Sequence, residues 1–180
     1  MKKNTIVINI SGGPGTGKTT IAAELFSKLK EKGYDVENVS EFAKELVWEG
    51  RSEAFNDRLY MHAEQNHRLM QMNGKLDYII TDSPLFLTSV YNSHYLKSKF
   101  SQSYNKMIDS VTKETFNYYN NRTYYLERNS GYKTIGRREN RETALEIDKE
   151  IIDYLSKNKI KYKTINITNA VEYILNDIEA

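Results

Sequence analysis

The chain has 180 residues with 26 basic side chains, 24 acidic side chains and no cysteine. This length predicts one domain over residues 1–180 around a single core. The lack of cysteine excludes disulfides and thiolate metal sites, and the formal net charge of +2 does not indicate a nucleic-acid or membrane partner. Because no run approaches the roughly 18 apolar residues of a membrane span, we expect a soluble, cytoplasmic protein with no membrane contact.

The first predicted strand, TIVINI, leads directly into the glycine-rich segment NISGGPGTGKTT at residues 9–20. The segment fits G-x-x-x-x-G-K-[ST], and apolar residues behind it recur at helical spacing. Strand, glycine loop and helix form the context of a phosphate loop, and this context disfavours a glycine-rich turn that binds nothing. Backbone N–H groups and the helix N-terminus attract phosphate there. We expect these residues to bind ATP: Gly13, Pro14, Gly15, Thr16, Gly17, Lys18, Thr19 and Thr20.

Side chains of the loop and of a later strand end predict the chemistry at the phosphates. Lys18 would bridge the β- and γ-phosphates, and the Thr19 hydroxyl would hold Mg²⁺. Asp82 ends the apolar strand DYIITDSP, where a carboxylate holds the metal or activates the acceptor hydroxyl. The alternative is an aspartate that caps the next helix, which Ser83 and Pro84 would favour. The expected cofactors are therefore ATP and Mg²⁺, and the expected metal ligands are Thr19 and Asp82.

Glu41 follows the second predicted strand, YDVENVS. A carboxylate beside an acceptor hydroxyl takes its proton as the phosphoryl group arrives, so Glu41 is a candidate general base. The alternative is an acid in the first turn of the helix EFAKELVWEG, stabilised by the helix dipole. Spacing alone leaves both open. Ser52 then predicts the cap of a longer helix from about 53 to 73.

Aromatic residues and histidines in this region are weaker candidates. Phe42, Trp48 and Tyr60 could stack on a substrate ring, although aromatic side chains at helical spacing are more often core. His62 and His67 are five residues apart on a predicted helix, which does not place them on one face. We therefore predict no metal site at the histidines.

The second half of the chain continues the alternation of strands and helices. Helices are predicted at 85–99 and 102–120, and the strand RTYYLER leads into the basic loop NSGYKTIGRRENR. A helix at 142–157, the strand KYKTINI and the helix TNAVEYILNDI follow. The alternation predicts an α/β fold: a mostly parallel, five-stranded sheet with helices on both faces.

The basic loop has the composition of a lid. Arginines from a mobile loop stabilise the charge that spreads over the γ-phosphate during transfer, and glycines would let the loop close. Arg137 and Arg138 are the candidate catalytic arginines, and Arg128 is a candidate substrate contact. The alternatives are a solvated basic loop and a weak nucleic-acid patch. The cations of the loop are Arg128, Lys133, Arg137, Arg138 and Arg141.

Three classes of phosphate-loop protein compete: a small-molecule kinase, a kinase of DNA or RNA ends or modified bases, and a switch or motor ATPase. A guanine-binding N-K-x-D motif is missing, because NKMID at 105–109 is one residue too long. Asp82 is followed by Ser83 rather than by the second acid that is usual in motors. An acceptor pocket, a base and an arginine lid favour a kinase of a nucleoside, nucleotide or related small molecule. A nucleic-acid partner is possible but less favoured.

The segments GGPGTGKTT, VSEFAKELVWEG, HAEQNHRLMQMNGKLDYIITDSPLF and GRRENRETALEIDKEI resemble the small AAA-type phosphate-loop proteins of bacteriophages. These in turn are similar to the ribosylnicotinamide kinase domain of the NAD-biosynthesis regulator and, more distantly, to deoxynucleoside and nucleoside monophosphate kinases. The resemblance implies a kinase fold in the cytoplasm of a bacterial or phage-infected cell, with Glu41, Asp82, Arg137 and Arg138 in matching positions. Ser83 stands where deoxynucleoside kinases have an arginine, so their substrate contacts do not transfer.

Overall fold

The structure, a computed structural model, describes residues 3–129 and 139–179. Within these ranges, short strands that run in the same direction end at the same edge of one sheet. The strands are β1 (Ile6–Ser11), β2 (Val36–Val39), β3 (Tyr78–Thr81), β4 (Asn120–Leu126) and β5 (Lys163–Ile165). All pairings are parallel, and the spatial order is β2-β3-β1-β4-β5. The predicted fold class is confirmed, and the phosphate loop follows the central strand.

The helices connect successive strands and cover both faces of the sheet. They are α1 (Lys18–Glu31), α2 (Phe42–Trp48), α3 (Arg58–Met72), α4 (Leu87–Tyr95), α5 (Gln102–Asn117), α6 (Arg141–Lys157) and α7 (Ala170–Glu179). Among the residues described, no helix combines the length and apolar character needed to cross a membrane.

Side-chain alternation along the strands divides the core into two layers. In β1, Ile8 and Ile10 face the layer that includes α1 and α7, whereas Val7 faces the layer that includes α3, α4, α5 and α6. Successive strand residues point to opposite faces, so strands buried on both faces read as continuous apolar runs. This explains why TIVINI and DYIITDSP were recognisable as strands.

The predicted start of α3 was wrong. A short 3-10 turn covers Ser52–Asn56, and the α-helix begins at Arg58 rather than near residue 53. The reason is a stronger cap at Asp57, whose carboxylate accepts a hydrogen bond from the Tyr60 N–H at 3.0 Å. An aspartate in this position satisfies a backbone donor that the first helical turn leaves without a partner.

Candidate active site

The phosphate loop, residues 12–19, turns between β1 and α1. Gly17 is the N-cap of α1 and has φ 103°, a left-handed conformation that favours glycine. Glycine has no side chain that could cap α1, and the first turn of the helix contains no acid. The N–H groups of that turn therefore point toward a phosphate site at the helix N-terminus, as the sequence motif requires.

Lys18 is held against the loop itself. Its Nζ donates a hydrogen bond to the Gly13 carbonyl at 2.9 Å. Burial lowers the pKa of the Lys18 ammonium, and the nearby carboxylates of Glu41 and Asp82 oppose that shift. The Lys18 ammonium thus lies near carboxylates, and a bound phosphate would raise its pKa further.

Thr19 and Asp82 meet beneath the loop. The Thr19 hydroxyl donates to Asp82 Oδ2 at 2.5 Å, and Asp82 is only 3% exposed. Its second oxygen, Oδ1, is buried without a hydrogen-bond partner among the described residues. Mg²⁺ prefers carboxylate and hydroxyl oxygens, so this pair fits the metal that the sequence predicted.

A cavity of about 470 Å³ opens beside the loop, between α1, α2, α3 and α4. Lys18, Thr19 and Glu41 all line it. The loop residues in its wall are Pro14, Gly15, Gly17, Lys18, Thr19 and Thr20. Gly13 and Thr16 instead stabilise the loop from within, since the Thr16 hydroxyl donates to the Gly13 carbonyl at 3.1 Å.

Glu41 is the N-cap of α2, but its side chain makes no capping hydrogen bond. Burial raises the pKa of Glu41 to about 6, against the opposing effect of the Lys18 ammonium; Asp82 and Glu139 add to the rise. A carboxylate with such a pKa is a stronger proton acceptor than an exposed glutamate. Glu41 is thus a cavity-lining carboxylate with a raised pKa, which are the properties expected of a candidate general base.

The predicted aromatic residues divide between the cavity and its surroundings. Phe42 is buried and lines the cavity, packed edge-on against Tyr60 with ring centroids 5.4 Å apart. Trp48 lines the mouth and is 69% exposed. The structure thus brings Phe42 and Trp48 to the cavity, whereas Tyr60 packs behind Phe42.

Helices α3 and α4 contribute cavity residues that sequence reasoning missed. Arg58 is 4% exposed, and its guanidinium lies 5.7 Å from the ring centre of Tyr91 and 6.0 Å from that of Tyr95. Tyr95 donates a hydrogen bond to Glu139 at 2.9 Å. One pattern could have indicated Arg58: with His62, Gln65 and Leu69 it forms the buried stripe of α3, and polar residues in such a stripe need a specific partner.

Arg128 lies apart from these groups. Its Nε donates to Asp148 Oδ2 at 2.5 Å, and Asp148 Oδ1 accepts from the Gly13 N–H at 2.7 Å. Within the described part of the chain, the structure places Arg128 behind the phosphate loop rather than in the cavity wall. The candidate arginines 137 and 138 lie outside the described residues.

The histidines of α3 have structural partners. The ring nitrogens of His62 hydrogen-bond the hydroxyls of Thr88 and Thr115, each at 2.9 Å, and burial lowers its pKa. His67 contacts Gln71 on the same helix. His62 therefore ties α3 to α4 and α5 through these two hydrogen bonds.

A parallel sheet with this loop after its central strand defines the phosphate-loop class of α/β proteins. The family described as "AAA domain" matches residues 7–172, and the chain belongs to that family. No protein of curated function matches the chain by sequence.

Solved kinase structures share the architecture at low sequence identity. The chain is similar to the NadR protein in complex with NR, with a TM-score of 0.70, 16% identity and coverage of 91% of this chain and 46% of NadR. It thus spans about half of NadR. It also resembles deoxyadenosine kinase from M. mycoides, solved with the products dCMP and dCDP bound, with a TM-score of 0.64, 20% identity and coverage of 96% of this chain and 98% of that one.

Thymidylate kinase from Ehrlichia chaffeensis has the same fold, with a TM-score of 0.63, 16% identity and coverage of 99% of this chain and 100% of that one. Likenesses at these identities show the fold. They confirm the resemblance to the phosphate-loop kinases that the sequence segments indicated.

Proposed function

We propose that this protein is an ATP-dependent phosphotransferase that moves the γ-phosphate of ATP to a hydroxyl or phosphate of a nucleoside, nucleotide or related small molecule. One observation carries the proposal: the phosphate loop and Glu41 open on the same cavity. A motor or switch needs a positioned water, whereas a kinase needs room for an acceptor beside the γ-phosphate.

The size and walls of the cavity support a small aromatic acceptor. Its volume of about 470 Å³ lies within the range of pockets for small molecules. Phe42, Tyr91 and Tyr95 provide aromatic surface, and Arg58 and Glu41 provide polar groups. Apolar walls with a few polar groups orient a planar ring, and a polynucleotide would instead need an open basic groove.

Each reacting atom has a candidate partner in the cavity. The acceptor oxygen attacks the γ-phosphorus, a new P–O bond forms, and the bond to the β,γ-bridging oxygen breaks to release ADP. For a hydroxyl acceptor, Glu41 takes the proton. Lys18 and the loop N–H groups hold the negative charge of the phosphates.

Thr19 and Asp82 would hold Mg²⁺, which neutralises phosphate charge when it is bound. We propose that Arg137 and Arg138, outside the described residues, stabilise the transferred group, and that Trp48 borders the acceptor. Arg128 supports the loop through Asp148 in this scheme instead of contacting the substrate.

The test is transfer of radiolabelled γ-phosphate from ATP to a panel of nucleosides, nucleotides and oligonucleotides. The panel includes deoxyadenosine and thymidylate because two proteins of the same fold are named as kinases of these compounds. It includes ribosylnicotinamide because NadR is solved in complex with NR. We expect a labelled small-molecule product whose formation requires Mg²⁺. Labelled oligonucleotide, with affinity that falls steeply with salt, would favour the polynucleotide alternative. Release of inorganic phosphate without any labelled acceptor would contradict the kinase assignment.

A further inference from the structure

The side chain of Gln65 joins two segments that carry candidate catalytic acids. Gln65 lies on α3 and is 6% exposed. Its Oε1 accepts a hydrogen bond from the Phe42 N–H at 3.1 Å, and its Nε2 donates to the Ser40 carbonyl at 3.3 Å. The backbone on both sides of Glu41 is therefore held by one buried amide.

The bond to Phe42 satisfies one of the backbone donors at the start of α2. Phe42 is the first residue of α2, and the N–H groups of a first helical turn have no partner within the helix. An N-cap side chain normally folds back to accept one of them, but the Glu41 side chain makes no such bond. Gln65 accepts from the first of these N–H groups, while the Glu41 side chain is not used as a cap and lines the cavity.

The same amide reaches the segment of the second acid. Gln65 Nε2 lies 3.5 Å from Thr81 Oγ1, which also accepts a hydrogen bond from the Ser83 N–H at 3.1 Å. Thr81 directly precedes Asp82. Gln65 thus spans the ends of β2 and β3, from which Glu41 and Asp82 project.

We propose that Gln65 is a positioning residue that fixes Glu41 relative to Asp82 and the phosphate loop. The inference rests on the proposed function, in which Glu41 takes the acceptor proton. Reacting groups must approach within about 3–3.5 Å, and a misplacement of about 1 Å costs up to about 100-fold in rate. A rigid link between two strand ends is a direct way to maintain that geometry.

A direct contact between Gln65 and the acceptor is the competing role, since Gln65 also lines the cavity. A glutamine amide has two N–H donors and one carbonyl oxygen. Both donors of Gln65 point to protein oxygens, and the carbonyl oxygen already accepts from Phe42. The geometry therefore favours positioning over recognition.

The first test compares Gln65→Met with Gln71→Met, a matched change at an exposed glutamine of the same helix. Methionine keeps the length of the side chain and removes its hydrogen bonds. With the best small-molecule acceptor of the transfer panel, Gln65→Met should lower kcat about 10- to 100-fold and leave the KM values for ATP and acceptor within about threefold. Exchange of the Phe42 amide hydrogen should become faster in this variant alone.

Other outcomes of this test overturn the inference. A raised acceptor KM with an unchanged kcat would identify Gln65 as an acceptor contact. A lowered melting temperature with unchanged kcat would identify a purely structural role. Gln65→Glu adds a second measurement: it retains the acceptor for Phe42 but loses both donors, so its kcat should lie between those of the wild type and Gln65→Met.

A double-variant cycle separates this inference from the proposed function. If Gln65 acts through Glu41, adding Gln65→Met to Glu41→Gln should lower kcat by less than about threefold, because groups that act as a unit are not additive. Full additivity overturns the positioning role while the kinase assignment stands. Unchanged transfer in Glu41→Gln alone overturns the base assignment, and with it the inference about Gln65.

Discussion

The donor side and the acceptor side of the cavity are built in different ways. In the proposed reaction, the donor side is the phosphate loop with the start of α1, a contiguous stretch whose backbone N–H groups and Lys18 would hold the phosphates. The acceptor side takes single side chains from α2, α3 and α4, such as Glu41, Arg58 and Tyr91. A phosphate has the same shape in every nucleotide, so a short backbone motif suffices for it. An acceptor differs between kinases and needs side chains whose placement depends on packing.

The difference implies that substitutions on the two sides of the cavity should alter different kinetic constants. Changes on the donor side should affect ATP binding with every acceptor. Changes on the acceptor side should affect transfer while ATP binding persists.

Lys18→Ala should produce the largest loss. The ammonium lies against the loop and among acids, and its removal takes away the charge that stabilises the transferring phosphoryl group. We expect transfer to fall by at least about 10³-fold, measured with radiolabelled ATP, together with weaker ATP binding by calorimetry. The matched control is Lys28→Ala, an exposed lysine of the same helix, which should behave as wild type. Normal turnover in Lys18→Ala would contradict the donor-side assignment.

Glu41→Gln should lower transfer about 10²-fold and leave ATP affinity unchanged. Burial raises the pKa of Glu41 to about 6, and the carboxylate is the form that accepts a proton. In the wild type, kcat/KM should therefore be level above about pH 7 and fall about tenfold per pH unit below about pH 6.

The amide that replaces the carboxylate in Glu41→Gln does not titrate. The fall of kcat/KM at acidic pH should therefore disappear in that variant. Glu49→Gln, at the exposed end of α2, is the control and should retain the fall of kcat/KM at acidic pH. An unchanged pH profile in Glu41→Gln would move the base role to another group, with Asp82 as the next candidate.

The same contrast explains what the sequence could predict. The phosphate-loop motif was recognisable because its residues are adjacent in the chain, and the strand before Asp82 because it is mostly apolar. The sheet followed from alternating strand and helix patterns. These features depend on local spacing alone.

Arg58 and Gln65 were not predicted as site residues, although both belong to the buried stripe of α3. Their roles depend on how α3 packs against α2 and α4, and a polar residue within a helix reads from sequence as a surface position. The start of α3 was misplaced for a related reason: Ser52 and Asp57 are both acceptable caps, and only the surrounding packing decides between them.

Asp148→Asn should show that the phosphate loop depends on a residue far from it in the sequence. Asp148 lies on α6, 8% exposed, and holds both the Gly13 N–H and Arg128. Asparagine can still accept from Gly13 but leaves the Arg128 charge without its carboxylate. We expect the free energy of unfolding to fall by about 3 kcal/mol, measured by urea titration.

The same variant should raise the Kd for ATP about tenfold, equivalent to about 1.4 kcal/mol, because the loop loses a rigid support. Asp153→Asn, at an exposed position of the same helix, should change neither quantity. If Asp148→Asn binds ATP as tightly as the wild type, the loop holds its shape without the contact from α6. The residues of the phosphate-loop motif would then suffice for ATP binding.

Trp48→Phe should have the smallest effect. Trp48 borders the cavity mouth and is 69% exposed, so its replacement by a smaller aromatic ring should change stability by no more than about 0.5 kcal/mol. We expect kcat to be unchanged and the acceptor KM to rise by less than about threefold, because a rim residue covers the acceptor without positioning the reacting atoms. As the only tryptophan of the chain, Trp48 also reports binding: its fluorescence should change on addition of the acceptor identified in the transfer panel. A large loss of kcat in Trp48→Phe would contradict this expectation. It would mean that Trp48 contacts the acceptor in the transition state.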